Sequence, residues 1–252
     1  MISIQNVSKN FREKNVLKNI NANFAPGKVN LVIGRSGSGK TVLMKCLTGL
    51  LSPTEGKILY SGVDFHHLTS KKQGAIRSQM GVVFQGGALF DSLTIQDNVI
   101  FPLNLLNDNT TYEEKIERVN YCLERVDLKN TNHLYPSELS GGMKKRAAIA
   151  RAIAANPKYL FCDEPNSGLD PKTSLIIDDL IVSITHEFGM TTVVNTHDLN
   201  SVITIGENIV YIYEGNLSWY GNKDEVLISD NEQLNDFIFA QPLTQRIRDF
   251  IK

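Results

Sequence analysis

The chain has 252 residues, of which 42% are hydrophobic, and its formal net charge is −1. These totals suit a globular protein with one substantial core, and the near-zero charge gives no reason to expect a nucleic-acid partner. The three cysteines are far apart in the sequence, which gives no support to a disulfide or zinc site and predicts buried free thiols.

The sequence shows no sign of a secretory signal or a membrane span. Residues 1–5 lack the charged and apolar regions of a secretory signal, and no apolar run approaches the ~18 residues of a membrane span. We therefore expect a cytoplasmic chain.

The N-terminal region predicts strands. Residues 2–7 and 16–24 alternate apolar and polar side chains, as strands do. Phe11 lies between them in a polar segment, where it either stacks on a nucleobase or fills the core; periodicity favours the core.

A phosphate-binding motif occupies residues 34–41, with the sequence GRSGSGKT. It follows an apolar run typical of a buried strand and opens a helix-like segment, which is the setting that the motif G-x-x-x-x-G-K-[ST] requires. Its glycines let backbone amides surround an anion, and the helix N-terminus adds a favourable dipole. We predict that it binds ATP through Gly34, Arg35, Ser36, Gly37, Ser38, Gly39, Lys40 and Thr41. A glycine-rich turn without a ligand is the alternative.

Within this loop, Lys40 is expected to contact the β- and γ-phosphates, and Thr41 to offer its hydroxyl to Mg²⁺. Gln85 follows the next apolar run, residues 80–84, and ligands of open α/β sheets bind beyond the carboxyl ends of strands. It is therefore a candidate for contact with Mg²⁺ or the attacking water. Taken alone, it is better explained as a polar strand end facing solvent.

Residues 86–157 lose the strand pattern and predict a helical insertion. Within them, residues 139–143 (LSGGM) precede a long helical segment. Its N-terminus offers a second anion site, formed by Ser140, Gly141 and Gly142. Taken alone, this pentapeptide is better explained as an ordinary helix cap. Two phosphate-binding helix ends on one chain nevertheless suggest a dimer in which each ATP contacts both copies.

Two later strands also end in polar side chains. Residues 159–164 form an apolar run that ends in Asp163 and Glu164. We predict that Asp163 holds Mg²⁺ and that Glu164 orients or deprotonates the attacking water. Residues 191–196 form another buried strand, followed by His197. Residues 208–221 predict a hairpin, residues 224–229 and 232–239 predict helices, and the tail, residues 241–252, is either a mobile end or a dimer strap.

In this order, the motifs resemble those of the ATPase subunit of an ATP-binding-cassette (ABC) transporter over nearly the whole chain. They are residues 34–41 (Walker A), Gln85 (Q-loop), residues 139–143 (signature), residues 160–164 (Walker B), residues 167–170 (D-loop) and His197 (switch histidine). The resemblance implies an α/β fold: a P-loop NTPase core of ABC-ATPase type with an antiparallel β subdomain and a helical subdomain at about 86–157, in one domain spanning 1–252.

The same resemblance implies roles for further residues. Phe11 becomes the aromatic that stacks on adenine, and Gln85 a Mg²⁺ ligand that links the site to the helical region. His197 senses the γ-phosphate. A second copy of the chain supplies Ser140, Gly141, Gly142 and Asp170 to each ATP.

A narrower resemblance concerns the cargo. Residues 84–94 (FQGGALFDSLT), residues 101–103 (FPL) and residues 135–146 (YPSELSGGMKKR) are similar to the Mla/Mce-type subgroup, which Met143 also fits. That subgroup moves phospholipid between membranes. It implies a multi-spanning permease, an Mce-domain protein, in some cases a STAS-domain regulator, and a place on the cytoplasmic face of the inner membrane. A nutrient importer for amino acids or ions shares every catalytic motif and is the alternative; a non-transport cassette ATPase is a third.

Overall fold

The computed structural model describes residues 1–105 and 110–240. These residues form ten strands and eight α-helices. The strands are β1 (Ile2–Phe11), β2 (Lys14–Phe24), β3 (Val29–Ile33), β4 (Glu55–Tyr60), β5 (Val63–Asp64), β6 (Met80–Val83), β7 (Tyr159–Asp163), β8 (Thr191–Thr196), β9 (Asn208–Tyr213) and β10 (Asn216–Gly221). The helices are α1 (Lys40–Leu47), α2 (Ser70–Arg77), α3 (Ile95–Asn104), α4 (Tyr112–Arg125), α5 (Gly141–Ile153), α6 (Pro171–Phe188), α7 (Leu199–Ile205) and α8 (Glu232–Ile238).

The strands form two sheets. An antiparallel sheet has the order β2-β1-β4-β5, and a six-stranded sheet has the order β10-β9-β3-β8-β7-β6. In the larger sheet, β9, β3, β8, β7 and β6 are parallel, while β10 pairs antiparallel with β9 as the hairpin predicted for residues 208–221. The α/β fold with a separate antiparallel sheet is therefore confirmed.

The larger sheet is covered on both faces, which explains why its central strands read as continuous apolar runs. Every residue of β3 and β8 is buried. Alternate side chains enter different cores: Val32 and Phe161 pack with the antiparallel sheet and α1, whereas Leu31 and Leu160 pack with the helices on the other face.

Between β6 and β7, the described residues contain helices and no strand, as predicted for residues 86–157. Helix α4 begins with a capping box between Thr111 and Glu114. Arg118 on α4 donates to the carbonyl oxygens of Ile153 (2.8 Å) and Ala154 (2.9 Å), which fixes α4 to the C-terminal end of α5. The division of the chain into one domain with this insertion remains an interpretation.

Three local predictions can be compared with the structure. Strand β1 continues through Phe11, so the predicted loop is reduced to a tight connection, with Phe11 paired to Lys14. Residues 224–229 form turns rather than a helix, because the Asn222 side chain accepts from the amides of Asp224 and Glu225. The cysteines are buried and free, as predicted. None of the helices in the described ranges is long and apolar enough to cross a membrane, and the tail at 241–252 lies outside those ranges.

Candidate active site

The loops of the candidate site follow neighbouring parallel strands. The strands β3, β8, β7 and β6 lie side by side, and Ile33 at the end of β3 is paired with Thr196 at the end of β8. The phosphate loop follows β3, His197 follows β8, Glu164 follows β7 and Gln85 lies just beyond β6. The carboxyl ends of parallel strands form the ligand crevice of an open α/β sheet. The topology therefore brings these polar side chains to one edge.

A cavity of about 700 Å³ opens where these loops meet, a size typical of small-molecule sites. The residues predicted for the site that line it are Arg35, Ser36, Gly37, Gly39, Lys40, Thr41, Gln85, Glu164 and His197. We refer to it below as the nucleotide cavity.

The phosphate loop has the backbone of an anion cradle. Gly37 and Gly39 have φ values of 79° and 113°, which only glycine adopts readily, and no side chain caps the start of α1. Lys40 Nζ donates to the carbonyl oxygens of Gly34 (2.8 Å) and Arg35 (3.2 Å). Burial lowers the pKa of Lys40, and nearby carboxylates partly offset this effect. The loop therefore holds a partly desolvated cation beside free helix-terminal amides, as a phosphate site requires.

Two predicted phosphate-loop residues, Gly34 and Ser38, lie behind the cavity wall. A Cβ at Gly34 would be 2.4 Å from the carbonyl oxygen of Ile212 and 2.7 Å from Ser38 Oγ. Gly34 therefore allows the loop to approach β9 closely. Ser38 Oγ is buried and has no hydrogen-bond partner, so a polar group remains available beneath the loop.

Glu164 and His197 are in direct contact. His197 Nδ1 lies 2.7 Å from Glu164 Oε2. Glu164 has φ 51°, an uncommon left-handed conformation for a non-glycine residue, and its amide donates to the carbonyl oxygen of Asn195 at 3.0 Å. The backbone turn after β7 therefore aims the carboxylate across the sheet edge at the loop after β8.

The predicted Mg²⁺ ligands supply the oxygen atoms that this ion prefers. Thr41 and Gln85 line the nucleotide cavity. Asp163 ends β7, and its Oδ1 accepts from Asn195 Nδ2 at 2.9 Å. Asp163 is outside the lining of the nucleotide cavity, but its charge acts on the pKa of Lys40. Hydroxyl, amide and carboxylate oxygens are thus present at or beside the phosphate loop, and this donor set fits Mg²⁺.

Gln85 connects three parts of the molecule. Its Nε2 donates to Ser167 Oγ at 3.3 Å, in the loop that follows Glu164. Its carbonyl oxygen accepts from Lys145 Nζ on α5. Burial lowers the pKa of Lys145, and the Glu164 carboxylate opposes that shift. Neither Ser167 nor Lys145 was assigned a role from the sequence.

A second cavity of about 400 Å³ contains all the residues predicted to contact ATP from another copy: Ser140, Gly141, Gly142 and Asp170. We call it the signature cavity. Ser140 caps α5 by accepting from the amide of Met143 (3.3 Å), and Asp170 caps α6 by accepting from the amide of Thr173 (3.0 Å). None of these four residues lines the nucleotide cavity of the same chain.

Phe11 lies outside the wall of the nucleotide cavity. Its side chain is 43% exposed, so the core position favoured by periodicity is wrong, and Lys9 Nζ lies 5.1 Å from its ring centre. Val16, on β2, lines the cavity instead. Stacking of Phe11 on adenine remains a prediction.

Sequence reasoning missed the contribution of helix α8. Phe237 on α8 and Ala240 line the nucleotide cavity, and Arg35 donates to the carbonyl oxygen of Asp236 at 3.4 Å. Val42 and Leu199 complete the lining. No sequence motif indicates that α8 belongs to the site, because the helix is distant from the motifs in the sequence and approaches them only in the folded chain.

A family model described as ABC transporter matches residues 17–167. The chain belongs to this family. The probable ribonucleotide transport ATP-binding protein mkl of Mycobacterium leprae is 35% identical to this ABC ATPase over 94% of the chain and 68% of the relative. The methionine import ATP-binding protein MetN of Protochlamydia amoebophila is 36% identical over 92% of the chain and 70% of that relative.

Solved structures of similar proteins support the same family assignment. A dimeric structure of MJ0796, a bacterial ABC transporter cassette, is 34% identical, has a TM-score of 0.81, and covers 88% of this chain and 99% of its own. The protein cbiO1 of Clostridium perfringens, part of the ABC transporter complex cbiONQ, is 29% identical to this chain and has a TM-score of 0.84. The match covers 99% of this chain and 98% of cbiO1. MJ0796 was also solved in a post-hydrolysis state with ADP and Pi. The chain is an ABC ATPase that binds and hydrolyses ATP.

Proposed function

We propose that two copies of this ABC ATPase close head to tail on two ATP molecules and thereby drive a membrane permease from the cytoplasmic face of a membrane. The observation that carries the proposal is the separation of the nucleotide cavity from the signature cavity on one chain. The nucleotide cavity holds most of the contacts predicted within one copy, and the signature cavity holds all those predicted from the second copy. The dimeric state of the MJ0796 cassette supports the same arrangement.

In the nucleotide cavity, the loop amides and Lys40 hold the phosphates. Glu164 orients the attacking water and accepts its proton, and His197, already 2.7 Å from Glu164, contacts the γ-phosphate. Thr41, Gln85 and Asp163 would hold Mg²⁺, which neutralises charge on the phosphates when it is bound. Closure also excludes water, which strengthens each of these electrostatic contacts.

Nucleotide binding at this loop is tested with Lys40→Ala, measured by the fluorescence of a labelled ATP analogue. We expect binding to be lost, because the loop then lacks its buried cation. Lys45→Ala is the matched control, since Lys45 is an exposed lysine on the same helix, α1. Retained affinity in Lys40→Ala would refute the assignment.

For the cargo, the named relatives favour import of a small nutrient over lipid transport. MetN proteins are named for methionine import, and several are 36–38% identical to this chain over at least 92% of its length. Mkl is named for ribonucleotide transport. We therefore propose nutrient import first. Lipid transport remains a second candidate because residues 84–94 and 135–146 carry the pattern of the Mla/Mce-type subgroup.

The partners distinguish these two functions. The full chain is purified with its native membrane partners, and the complex is placed in vesicles with labelled amino acids, nucleotides or phospholipids. A soluble solute-binding partner and ATP-dependent uptake would support nutrient import. An Mce-domain partner, with or without a STAS-domain protein, and lipid exchange between membranes would support the second candidate and refute the first.

A further inference from the structure

A buried polar cluster lies behind the Glu164–His197 contact. It consists of Asn166, Asp178 and Ser201, and the side chains of Asp178 and Ser201 are each about 1% exposed. Asn166 Nδ2 donates to Asp178 Oδ1 at 2.8 Å and to Ser201 Oγ at 3.1 Å. Ser201 Oγ donates to Asp178 Oδ2 at 2.7 Å. Both carboxylate oxygens are therefore engaged.

Burying this polar cluster in the core has an unfavourable desolvation free energy. Burial raises the pKa of the Asp178 carboxyl group to about 6, although the hydrogen bonds from Ser201 and Asn166 oppose the shift. Both donors are neutral, and Asn166 Oδ1 is buried without a partner. An aliphatic side chain here would avoid the desolvation cost. The hydrogen bonds within the cluster suit it to hold its three segments in one specific geometry.

Its three members come from the three segments that carry the catalytic and dimer-facing groups. Asn166 lies two residues after Glu164, in the loop that ends at Asp170. Asp178 lies on α6, which Asp170 caps. Ser201 lies on α7, four residues after His197 in the sequence. A shift of α7 relative to the loop would break the cluster and separate Glu164 from His197.

We infer that Asp178 is a positioning residue: through Asn166 and Ser201 it holds the Glu164 loop against α7, keeps His197 in contact with Glu164, and so sets the rate of ATP hydrolysis rather than the affinity for ATP. The inference rests on the roles proposed for Glu164 and His197. Asp178 itself lines neither cavity, so its effect on the reaction is indirect.

The test compares Asp178→Leu with Thr185→Val in the full chain. Thr185 is a buried residue of the same helix, α6, and bonds to Thr192 Oγ1 at 2.7 Å, far from the site loops. We expect Asp178→Leu to lower kcat about tenfold or more, with the Kd of a labelled ATP analogue changed less than about threefold. Asp178→Asn, which keeps one acceptor, should restore part of kcat.

An equal loss of kcat in Thr185→Val, or a loss of ATP affinity that accounts for the whole effect, would overturn the inference. If Asp178→Leu does not fold, Ser201→Ala is measured instead. An unchanged kcat in Ser201→Ala would overturn the inference.

The double variant separates this inference from the proposed function. In a His197→Ala chain, Asp178→Leu should lower kcat by less than about twofold further, because the contact that it protects is already gone. A full additional loss would refute the inference alone. A normal rate in His197→Ala by itself would instead refute the role proposed for His197.

Discussion

At the scale of single residues, the site depends on backbone conformations that few side chains tolerate. Glu164 keeps φ at 51° and is held by its amide bond to the carbonyl oxygen of Asn195. A non-glycine residue in this region costs of order 1–3 kcal/mol, which the surrounding structure must supply. This conformation aims the carboxylate toward His197, whose Nδ1 lies 2.7 Å from Glu164 Oε2.

His197→Ala should lower kcat for ATP about 100-fold while changing KM less than about threefold, because the proposed contacts of His197 to the γ-phosphate and to Glu164 act mainly in the transition state. The control is His186→Ala. His186 also pairs with a carboxylate, Glu207, at 3.1 Å, but Glu207 contacts the amide of Val29 at the opposite end of the sheet. Steady-state ATPase assays measure both variants. Equal loss in the two would contradict the prediction.

Gly34→Ala should abolish nucleotide binding and destabilise the protein by about 2–4 kcal/mol, since the new Cβ would meet the carbonyl oxygen of Ile212 at 2.4 Å. The matched control is Gly74→Ala, on α2, where nothing lies within 4 Å of the added Cβ. That change should stabilise the protein by about 0.5–1 kcal/mol. Urea unfolding measures the stability of both variants. If Gly74→Ala also destabilised the protein, the loss could not be attributed to contact between the added Cβ and a neighbouring atom.

At the scale of elements, the parallel sheet brings the site together and the long helix α6 connects its parts. Asp170 caps the start of α6, Asp178 contacts α7 from its middle, and Glu187 near its end pairs with Arg125 on α4. One helix thus contacts the signature cavity, the loop after β8 and the helical region.

The contact between α6 and α7 predicts a pH dependence of stability. Burial raises the pKa of Asp178 from its ordinary value of 3.8 to about 6 in the fold, so the folded protein binds more protons than the unfolded chain between these values. The contribution of Asp178 to stability is therefore expected to fall as pH rises through that window, by about 3 kcal/mol in total. Asp178→Asn removes this contribution.

The measurement is urea unfolding of both proteins between about pH 4.5 and 8. The free energy of unfolding of Asp178→Asn minus that of the unchanged chain should increase as pH rises and level off above about pH 6.5. A difference that stays constant would mean that Asp178 is not neutral in the folded protein at low pH.

Sequence patterns predicted the elements and residues whose information is local. The phosphate loop, the β7 end and the hairpin at residues 208–221 each depend on contiguous residues, and each lies where the pattern places it. The turn at residues 224–229 was missed because the Asn222 side chain competes with helical hydrogen bonds there. The Asn166–Asp178–Ser201 cluster and the contribution of α8 were missed because they exist only after the chain has folded.

At the scale of the whole molecule, the described residues form two separate cavities, which the proposed function treats as two half-sites. The nucleotide cavity holds the phosphate loop, and the signature cavity holds Ser140 and Asp170. A head-to-tail pair with two-fold symmetry brings each nucleotide cavity against a signature cavity of its partner and leaves neither half unmatched. The proposed function therefore makes binding of ATP by one chain and closure of two chains separable steps.

This separation predicts different effects from changes in the two cavities. Glu164→Gln removes the proton acceptor but keeps the phosphate loop, so it should accumulate an ATP-bound dimer, detected by light scattering. Adding Ser140→Phe should fill the signature cavity and prevent the dimer, while a single chain still binds the labelled nucleotide. Adding Thr111→Phe is the control, since Thr111 caps α4 outside both cavities. A monomeric Glu164→Gln chain that hydrolyses ATP normally would refute the role of Glu164, and loss of nucleotide binding with Ser140→Phe would refute the assignment of Ser140 to the partner's ATP.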